Sequence, residues 1–485
     1  MKKMFIDGVF SAGQADYSIE IIDPATEEVI DEVPRGSARE VERAVVAAKA
    51  AYATWQRTPG SEKADYLHAA ANAIHQHSDE LARLLTMEQG KPLPENEEEV
   101  EWTFNTLRYY AEMGRHDRGS LIPPGDRGQL NFVMKEAYGV VGCIVPWNFP
   151  LLLLVWKIAP ALAAGNTVVI KPSEFTPLTT LKMVELAFQH FPPGVINVVT
   201  GYGPETGEVL VRHPDVRMIA FTGSLATGQR IAQIAAPMMK KVHLELGGKD
   251  PMVIGPDAPM DMAVSGLAYS ALYNAGQVCT STERVYVHET MIGQFSEELS
   301  DFVSKLRLGS GLSEETDIGP MMRPHFRQKV VDHIAQAREA GAQVLTGGRI
   351  PADIARGYYF EPSVLVNVDH QMAIMRDETF GPAIPLMPYR DFDEAIALAN
   401  DTQFGLGACL MSTDARLVKR FFEGVDAGTI WINDPLTDNY GGPFGGMKMT
   451  GGGRELGQAG FDEFTQIKHV HWDIEGGTKD YWYPY

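Results

Sequence analysis

Val140-Val141-Gly142-Cys143-Ile144-Val145, followed by Pro146-Trp147-Asn148-Phe149-Pro150, is the stretch on which the fold turns. No charged residue occurs from Ala137 to Trp156, about the length that crosses a bilayer. Gly142, Pro146, Asn148 and Pro150 interrupt it, and Val140–Val145 is rich in β-branched residues. A buried strand, a turn and a buried helix account for the segment without a membrane.

Working outward, the alternation is regular. Strands are predicted at Val140–Val145, Thr167–Ile170, Val195–Val199, Val216–Phe221 and Lys241–Leu246, with helices at Pro150–Ala164, Leu178–His190, Glu205–Arg212 and Thr227–Ala236 between them. Strand and helix alternating at this spacing predict an α/β fold, with parallel strands covered on both faces. Ligands of such sheets bind at the carboxyl ends of the strands. Asn148, Lys171, Gly223-Ser224 and Glu245 fall at those ends.

Before this region the sequence predicts short strands at Met4–Phe10, Tyr17–Ile22 and Val29–Val33, with a turn at Asp23-Pro24-Ala25-Thr26. Ser37 is placed to cap a helix over Ala38–Trp55, and Ser61 one over Lys63–Met87 that ends before Gly90. Glu95–Met113 reads as helix, its acidic run from Glu95 to Glu101 a solvated face, and Gln129–Ala137 as strand. After Asp250 a second α/β segment begins. A helix over Met260–Ala275 leads into Cys279, and elements follow at Val285–Val287, Arg327–Ala340, Val364–Asn367, Ala395–Asn400 and Thr429–Ile432. Asp462–Ile474 has strand character, and the aromatic end Asp480–Tyr485 suggests that it docks on something.

A chain of 485 residues, 45% hydrophobic, is expected to form two or three domains. Its three cysteines are widely spaced, which leaves no disulfide framework, no cysteine-held zinc and no other metal site expected. A reducing compartment, the cytoplasm, is the expectation. A formal net charge of −21 disfavours nucleic acid and anionic membrane as partners. Met1–Gly8 has basic residues but no apolar run behind them, unlike a signal peptide.

Cys279, in Gly276-Gln277-Val278-Cys279-Thr280-Ser281, is the one cysteine in a polar setting; Cys143 and Cys409 read as apolar fillers of buried strands. A thiolate nucleophile needs such a setting, although an isolated cysteine of this kind is more often structural. Gly223-Ser224-Leu225-Ala226-Thr227-Gly228 joins a strand to a helix, where a pyrophosphate approaches a helix N-terminus, or where an ordinary tight turn sits. Lys171-Pro172-Ser173-Glu174 offers an ammonium and a carboxylate to a ribose, or a surface ion pair. A carboxylate there repels a 2′-phosphate, which favours NAD over NADP. Glu245 lies at an apolar strand end, where burial raises a carboxyl toward the pKa of a general base; a structural Glu bonded to backbone is the alternative. The Asn148 amide suits an oxyanion, or caps a helix.

Taken together these motifs resemble the NAD(P)-dependent aldehyde dehydrogenase superfamily. The resemblance spans essentially the whole chain and adds Glu378-Thr379-Phe380-Gly381-Pro382 and Pro443-Phe444-Gly445-Gly446. It implies that Cys279 attacks an aldehyde, that Asn148 and the Cys279 N–H hold the oxyanion, and that Glu245 activates the water that hydrolyses a thioester. Lys157 and Glu455 match a pair that relays protons in some members, or is structural. The implied cofactor site comprises Val145, Pro146, Trp147, Lys171, Ser173, Glu174, Gly203, Gly207, Phe221, Thr222, Gly223, Ser224, Thr227, Leu246, Gly247, Glu378 and Phe380. NAD is the expected cofactor, with NADP less favoured.

The implied substrate tunnel comprises Trp102, Phe149, Leu153, Trp156, Tyr273, Thr280, Asp438 and Phe444. Its aromatic faces, with Asp438 and Glu99 at the mouth, suit a cationic aldehyde such as betaine aldehyde or an aminoaldehyde; a neutral aliphatic or aromatic aldehyde is the competitor. Glu245 argues against a branch that passes the acyl group to coenzyme A, and the retained nucleophile and base argue against a catalytically silent relative. By resemblance, residues 1–119 and 138–247 form the NAD-binding domain and 248–449 the catalytic domain. Residues 120–137 and 450–485 form an oligomerisation region that makes dimers or dimers of dimers.

Overall fold

Val140–Ile144 is a strand buried along its whole length. A strand covered on both faces needs no polar alternation, which is why its sequence is a continuous apolar run. The computed structural model describes residues 2–13, 17–116 and 119–484. The sheet around this strand runs Lys241–Glu245, Val216–Thr222, Val140–Ile144, Thr167–Lys171, Ile196–Val198, Met4–Ile6, Val9–Ser11. The first five strands are parallel. The order reverses beside Val140–Ile144: the chain moves outward through Thr167–Lys171 and returns to Val216–Thr222 on the other side. Loops diverge at such a switch point and leave a crevice. Pro146–Asn148 and Gly223-Ser224 border it.

Helices cover both faces. Leu152–Ala163 and the long helices Gly60–Gln76 and Leu93–His116 pack one side, and Ala38–Trp55 and Leu225–Ala235 the other. Ser37 caps Ala38–Trp55 in a capping box with Glu40. The apolar stretch 137–156 is thus strand, turn and buried helix, and no helix among the described residues is long and apolar enough to cross a membrane.

A second sheet runs Gln343–Thr346, Ser363–Val366, Ala383–Tyr389, Thr282–His288, Asp250–Ile254, Gly407–Met411, Thr429–Ile432, parallel except at Gln343–Thr346. A three-stranded antiparallel sheet joins Ser120–Ile122, Gln129–Ala137 and Thr465–Asp473. Cys143 and Cys409 are buried strand residues. Tyr481, Trp482 and Tyr483 are exposed, and Tyr485 lies outside the described residues.

Three predicted elements differ. Met4–Phe10 is a hairpin, not one strand, turning at Asp7 (φ 54°) and Gly8 (φ 76°); Asp-Gly is a pair that adopts this turn readily. Lys63–Met87 is two helices, Gly60–Gln76 and Ser78–Gln89, that break at His77, and Ser61 lies inside the first instead of capping it. The helix before Cys279 stops at Leu272, because Asn274 and Ala275 take left-handed conformations (φ 52° and 54°).

Candidate active site

The break after Leu272 is what presents Cys279. Gly276 is left-handed too (φ 72°), and a Cβ there would stand 2.5 Å from the Gly381 carbonyl oxygen. Only glycine fits. Gln277 is fully buried and holds the loop: its Oε1 accepts from the Met322 N–H at 2.9 Å and its Nε2 donates to the Asn274 carbonyl at 3.0 Å. Asn148 Nδ2 donates to the Gln277 carbonyl at 3.1 Å, so the amide is tied two residues from the sulfur and does not cap a helix.

Cys279 is partly buried and lies in the wall between two cavities. Burial, with the negative charge of Glu245 next, pushes its thiol well above the ordinary range. A protonated thiol in such a place needs a base. Glu245 ends the strand Lys241–Glu245, 2% exposed, and neither carboxylate oxygen has a hydrogen-bond partner among the described residues. That excludes the structural alternative of a Glu tied to backbone. Burial first, then the charge of Glu455, raises its pKa to about 8. Such a group takes protons near neutral pH.

One cavity, about 710 Å³, contains Pro146, Trp147, Asn148, Thr222, Gly223, Ser224, Glu245, Leu246, Gly247, Glu378 and Phe380 beside Cys279. Phe326 and Lys329, unforeseen in the sequence, enter from the helix Pro324–Glu339. Glu378 accepts from the Gly248 N–H at 3.3 Å, and burial raises its pKa to about 7. Phe380 is left-handed (φ 55°) and meets Trp147 edge-on, ring centroids 5.6 Å apart. Glu283 fixes it, accepting from the Thr379 and Phe380 N–H groups at 2.6 and 2.7 Å. Ser224 caps the helix Leu225–Ala235, accepting from the Thr227 N–H. Val145, Lys171, Ser173, Glu174, Gly203, Gly207, Phe221 and Thr227 do not line this cavity; Thr227 is in the helix Leu225–Ala235, Gly203 and Gly207 bound a π-helical turn, and the rest lie on or just after strands. Lys171 pairs with Glu174 at 2.9 Å. A Cβ on Gly203 would meet nothing within 4 Å, and one on Gly207 only Ile144 and Lys171 at 3.9 and 4.0 Å, so the backbone there borders open space.

The other cavity, about 680 Å³, contains every tunnel residue foreseen: Trp102, Phe149, Leu153, Trp156, Tyr273, Thr280, Asp438 and Phe444. Tyr269 and Glu98 join them without having been foreseen. Tyr269 lies four residues before Tyr273, one helical turn away, and their rings stand 5.3 Å apart. The Tyr273 hydroxyl donates to Glu98 Oε2 at 2.9 Å. Glu99 lines this cavity too, but its charge is already matched. It is buried against the Lys91 ammonium, and its Oε1 accepts from the Leu151 and Leu152 N–H groups at 2.9 and 3.2 Å. Glu98 takes the mouth position instead. Asp438 has its pKa raised to about 7 by burial.

Lys157 and Glu455 meet behind Glu245, 0% and 1% exposed at their side chains, Nζ to Oε1 2.5 Å. Lys157 also donates to the Thr222 hydroxyl at 2.5 Å.

A partly buried sulfur between an apolar tunnel and a strand-end crevice, with an unpartnered carboxylate beside it, defines a thiol-dependent enzyme built on a doubly wound α/β sheet. Residues 10–470 match the aldehyde dehydrogenase family. The chain belongs to that family, and is an oxidoreductase acting on aldehydes. It is 38% identical to the chloroplastic betaine aldehyde dehydrogenase of Amaranthus hypochondriacus, over 99% of this chain and 98% of that one. It is also 38% identical to peroxisomal aminoaldehyde dehydrogenase 1 of Malus domestica, over 96% and 95%. Among solved structures, betaine aldehyde dehydrogenase from Staphylococcus aureus in complex with NAD+ superposes with a TM-score of 0.97 at 36% identity, covering 99% of this chain and 96% of that one.

Proposed function

We propose that this chain oxidises a cationic aldehyde, an ω-aminoaldehyde or betaine aldehyde, to its acid with NAD. The observation that carries the reading is the position of Cys279, common to both cavities. An aldehyde in the tunnel presents its carbonyl carbon to the sulfur. Glu245 takes the thiol proton as the carbon–sulfur bond forms. The Asn148 amide and the Cys279 N–H stabilise the oxyanion, an effect worth ~3 kcal/mol for one donor. NAD, when bound, supplies the hydride acceptor. The residues fit it: the Glu378 carboxylate suits ribose hydroxyls, and the backbone at Gly203 and Gly207 leaves room that a side chain would fill. Glu174 beside Lys171 disfavours a 2′-phosphate. The carbonyl is rebuilt as a thioester on Cys279. Glu245 gives up the thiol proton to solvent once the thioester has formed; as a carboxylate it then takes a proton from water, whose oxygen displaces the sulfur as thiolate and frees the acid.

The tunnel argues for the cation. Trp102, Trp156, Tyr269 and Tyr273 present aromatic faces, and Glu98 and Asp438 add carboxylates. The relatives named for betaine aldehyde and aminoaldehydes agree with it. Comparing kcat/KM for betaine aldehyde, 4-aminobutanal, benzaldehyde and hexanal, each with NAD and NADP, tests the reading; a preference for hexanal over both cations overturns it. The three-stranded sheet, with Leu121, Ile467 and Trp472 exposed, supports its pairing between copies of the chain, and residues 120–137 and 450–485 as the oligomerisation region.

A further inference from the structure

Glu245 collects a proton in the crevice beside Cys279, the residue common to both cavities, and an aldehyde in one with a cofactor in the other would fill both. The strand that carries it holds a second titratable group. Alternate residues of a strand share a face, so His243 points with Glu245, while Val242 and Leu244 pack the opposite side. His243 is fully buried, and neither ring nitrogen has a hydrogen-bond partner among the described residues. Buried polar groups are ordinarily satisfied, and exceptions call for a reason.

Its surroundings supply one. Nε2 lies 3.4 Å from Glu455 Oε1, and Nδ1 lies 3.8 Å from Glu463 Oε2. On the inner side, Glu455 holds Lys157, which holds the hydroxyl of Thr222, the residue paired with Glu245 across the parallel strands. On the outer side, Glu463 is 18% exposed and pairs at 2.6 Å with Lys241, itself 34% exposed. Tyr110, from the helix Leu93–His116, adds a hydroxyl near Glu455 that donates to the Gly457 carbonyl. A Cβ on Gly453 would stand 2.3 Å from Nδ1, so the ring is closed in on that side. The imidazole is the link between a buried ion pair and a carboxylate at the surface.

We propose that His243 passes the hydrolytic proton from Glu455 to Glu463, and so to solvent, while both cavities are filled. Water's oxygen joins the thioester carbon, the C–S bond breaks, the sulfur ends as a thiol, and ionisation of the acid leaves one proton over. That proton, held by Glu245, moves along the Thr222 hydroxyl and the Lys157 ammonium to Glu455 and on to Nε2, as the Nδ1 proton leaves to Glu463. Nothing is oxidised or reduced. His243 acts through Glu455 and Lys157 and is a positioning residue for the proton. The inference rests on the thioester reading above.

The experiment follows one turnover of 4-aminobutanal with NAD in His243→Gln and Glu463→Gln, the second near the surface and less apt to disturb folding. Rapid quench and mass spectrometry follow acyl-Cys279, a pH dye follows the released proton, and hydrolysis of 4-nitrophenyl acetate without cofactor serves as the reaction with open cavities. Expected are an unchanged NADH burst, decay of acyl-Cys279 and proton release slowed together by roughly tenfold, and ester hydrolysis slowed much less. Equal slowing of both reactions makes the histidine structural and overturns the relay alone, as does no slowing in either variant. A wild-type enzyme that never accumulates or passes through acyl-Cys279 overturns the thioester reading, and the relay with it.

Discussion

Replacing Glu245 by glutamine should slow turnover sharply and make the protein more stable, by an amount that depends on pH in a defined way. The folded carboxyl has its pKa raised from 4.5 to about 8, chiefly by burial. Each unit is about 1.4 kcal/mol of preference for the neutral form. Because the folded state keeps its proton where the unfolded chain has lost it, the wild-type protein loses stability as pH rises from 4.5 to about 8, and no further beyond. The cost is roughly 3 kcal/mol at pH 7 and about 5 kcal/mol above pH 8. Glutamine does not titrate. The thermal midpoint of Glu245→Gln should therefore pull ahead of wild type between pH 5 and 8, and the gap should level off above that. Scanning calorimetry of both proteins across pH 5–9 measures it. In the same variant the NADH burst should slow, because Glu245 also takes the thiol proton, and steady turnover should fall at least about a hundredfold. A midpoint difference that is flat in pH, or a variant less stable than wild type throughout, would refute the argument that an unpartnered carboxylate is buried there.

Asn148→Ala should lower kcat by about a hundredfold, near 3 kcal/mol, with KM nearly unchanged; stopped-flow NADH formation measures both. Lys157→Met leaves Glu455 buried without its ammonium and should cost about 3–5 kcal/mol in urea denaturation, with much of it recovered when Glu455→Leu is added. Asp438, with a pKa of about 7, becomes charged as pH rises through that value. The KM for 4-aminobutanal should fall across it while that for hexanal stays level, and Asp438→Asn should remove the difference.

Much of this architecture is legible before any coordinate is known, and the misses have physical causes. The strand Val140–Ile144 and its successors announce themselves because a parallel sheet covered on both sides forces continuous apolar runs separated by helical spacing. The tunnel residues could be named because the family resemblance implies them, and the cavity contains all of them. Phe326 and Lys329 could not, since they reach the crevice from a helix that packs there only through the tertiary fold. Ala275 gives no local hint of its left-handed conformation, which the loop around Gln277 imposes. Glu99 was within reach of a helical wheel. Glu97, Glu98 and Glu101 are exposed, whereas Glu99 turns inward to Lys91. Treating the acidic run as one face hid both the buried pair and the true mouth residue, Glu98.

The site's acids share one cause. Glu245, Glu378 and Asp438 are each raised to between about 7 and about 8, and loss of hydration on burial is the largest reason in every case. Fixed ion pairs of the Lys91–Glu99 or Lys249–Glu283 kind hold their neighbours in place, but a carboxylate already matched to a cation has little left to offer a reactant. The unmatched ones remain poised, partly protonated at neutral pH and ready to ionise when positive charge or a transferable proton arrives. Binding of a cation in the tunnel should then release protons from Asp438, and an isothermal titration in two buffers of different ionisation enthalpy would show apparent heats that diverge. Identical heats in both buffers would mean that Asp438 is already charged, and that the tunnel's preference comes from its aromatic faces alone.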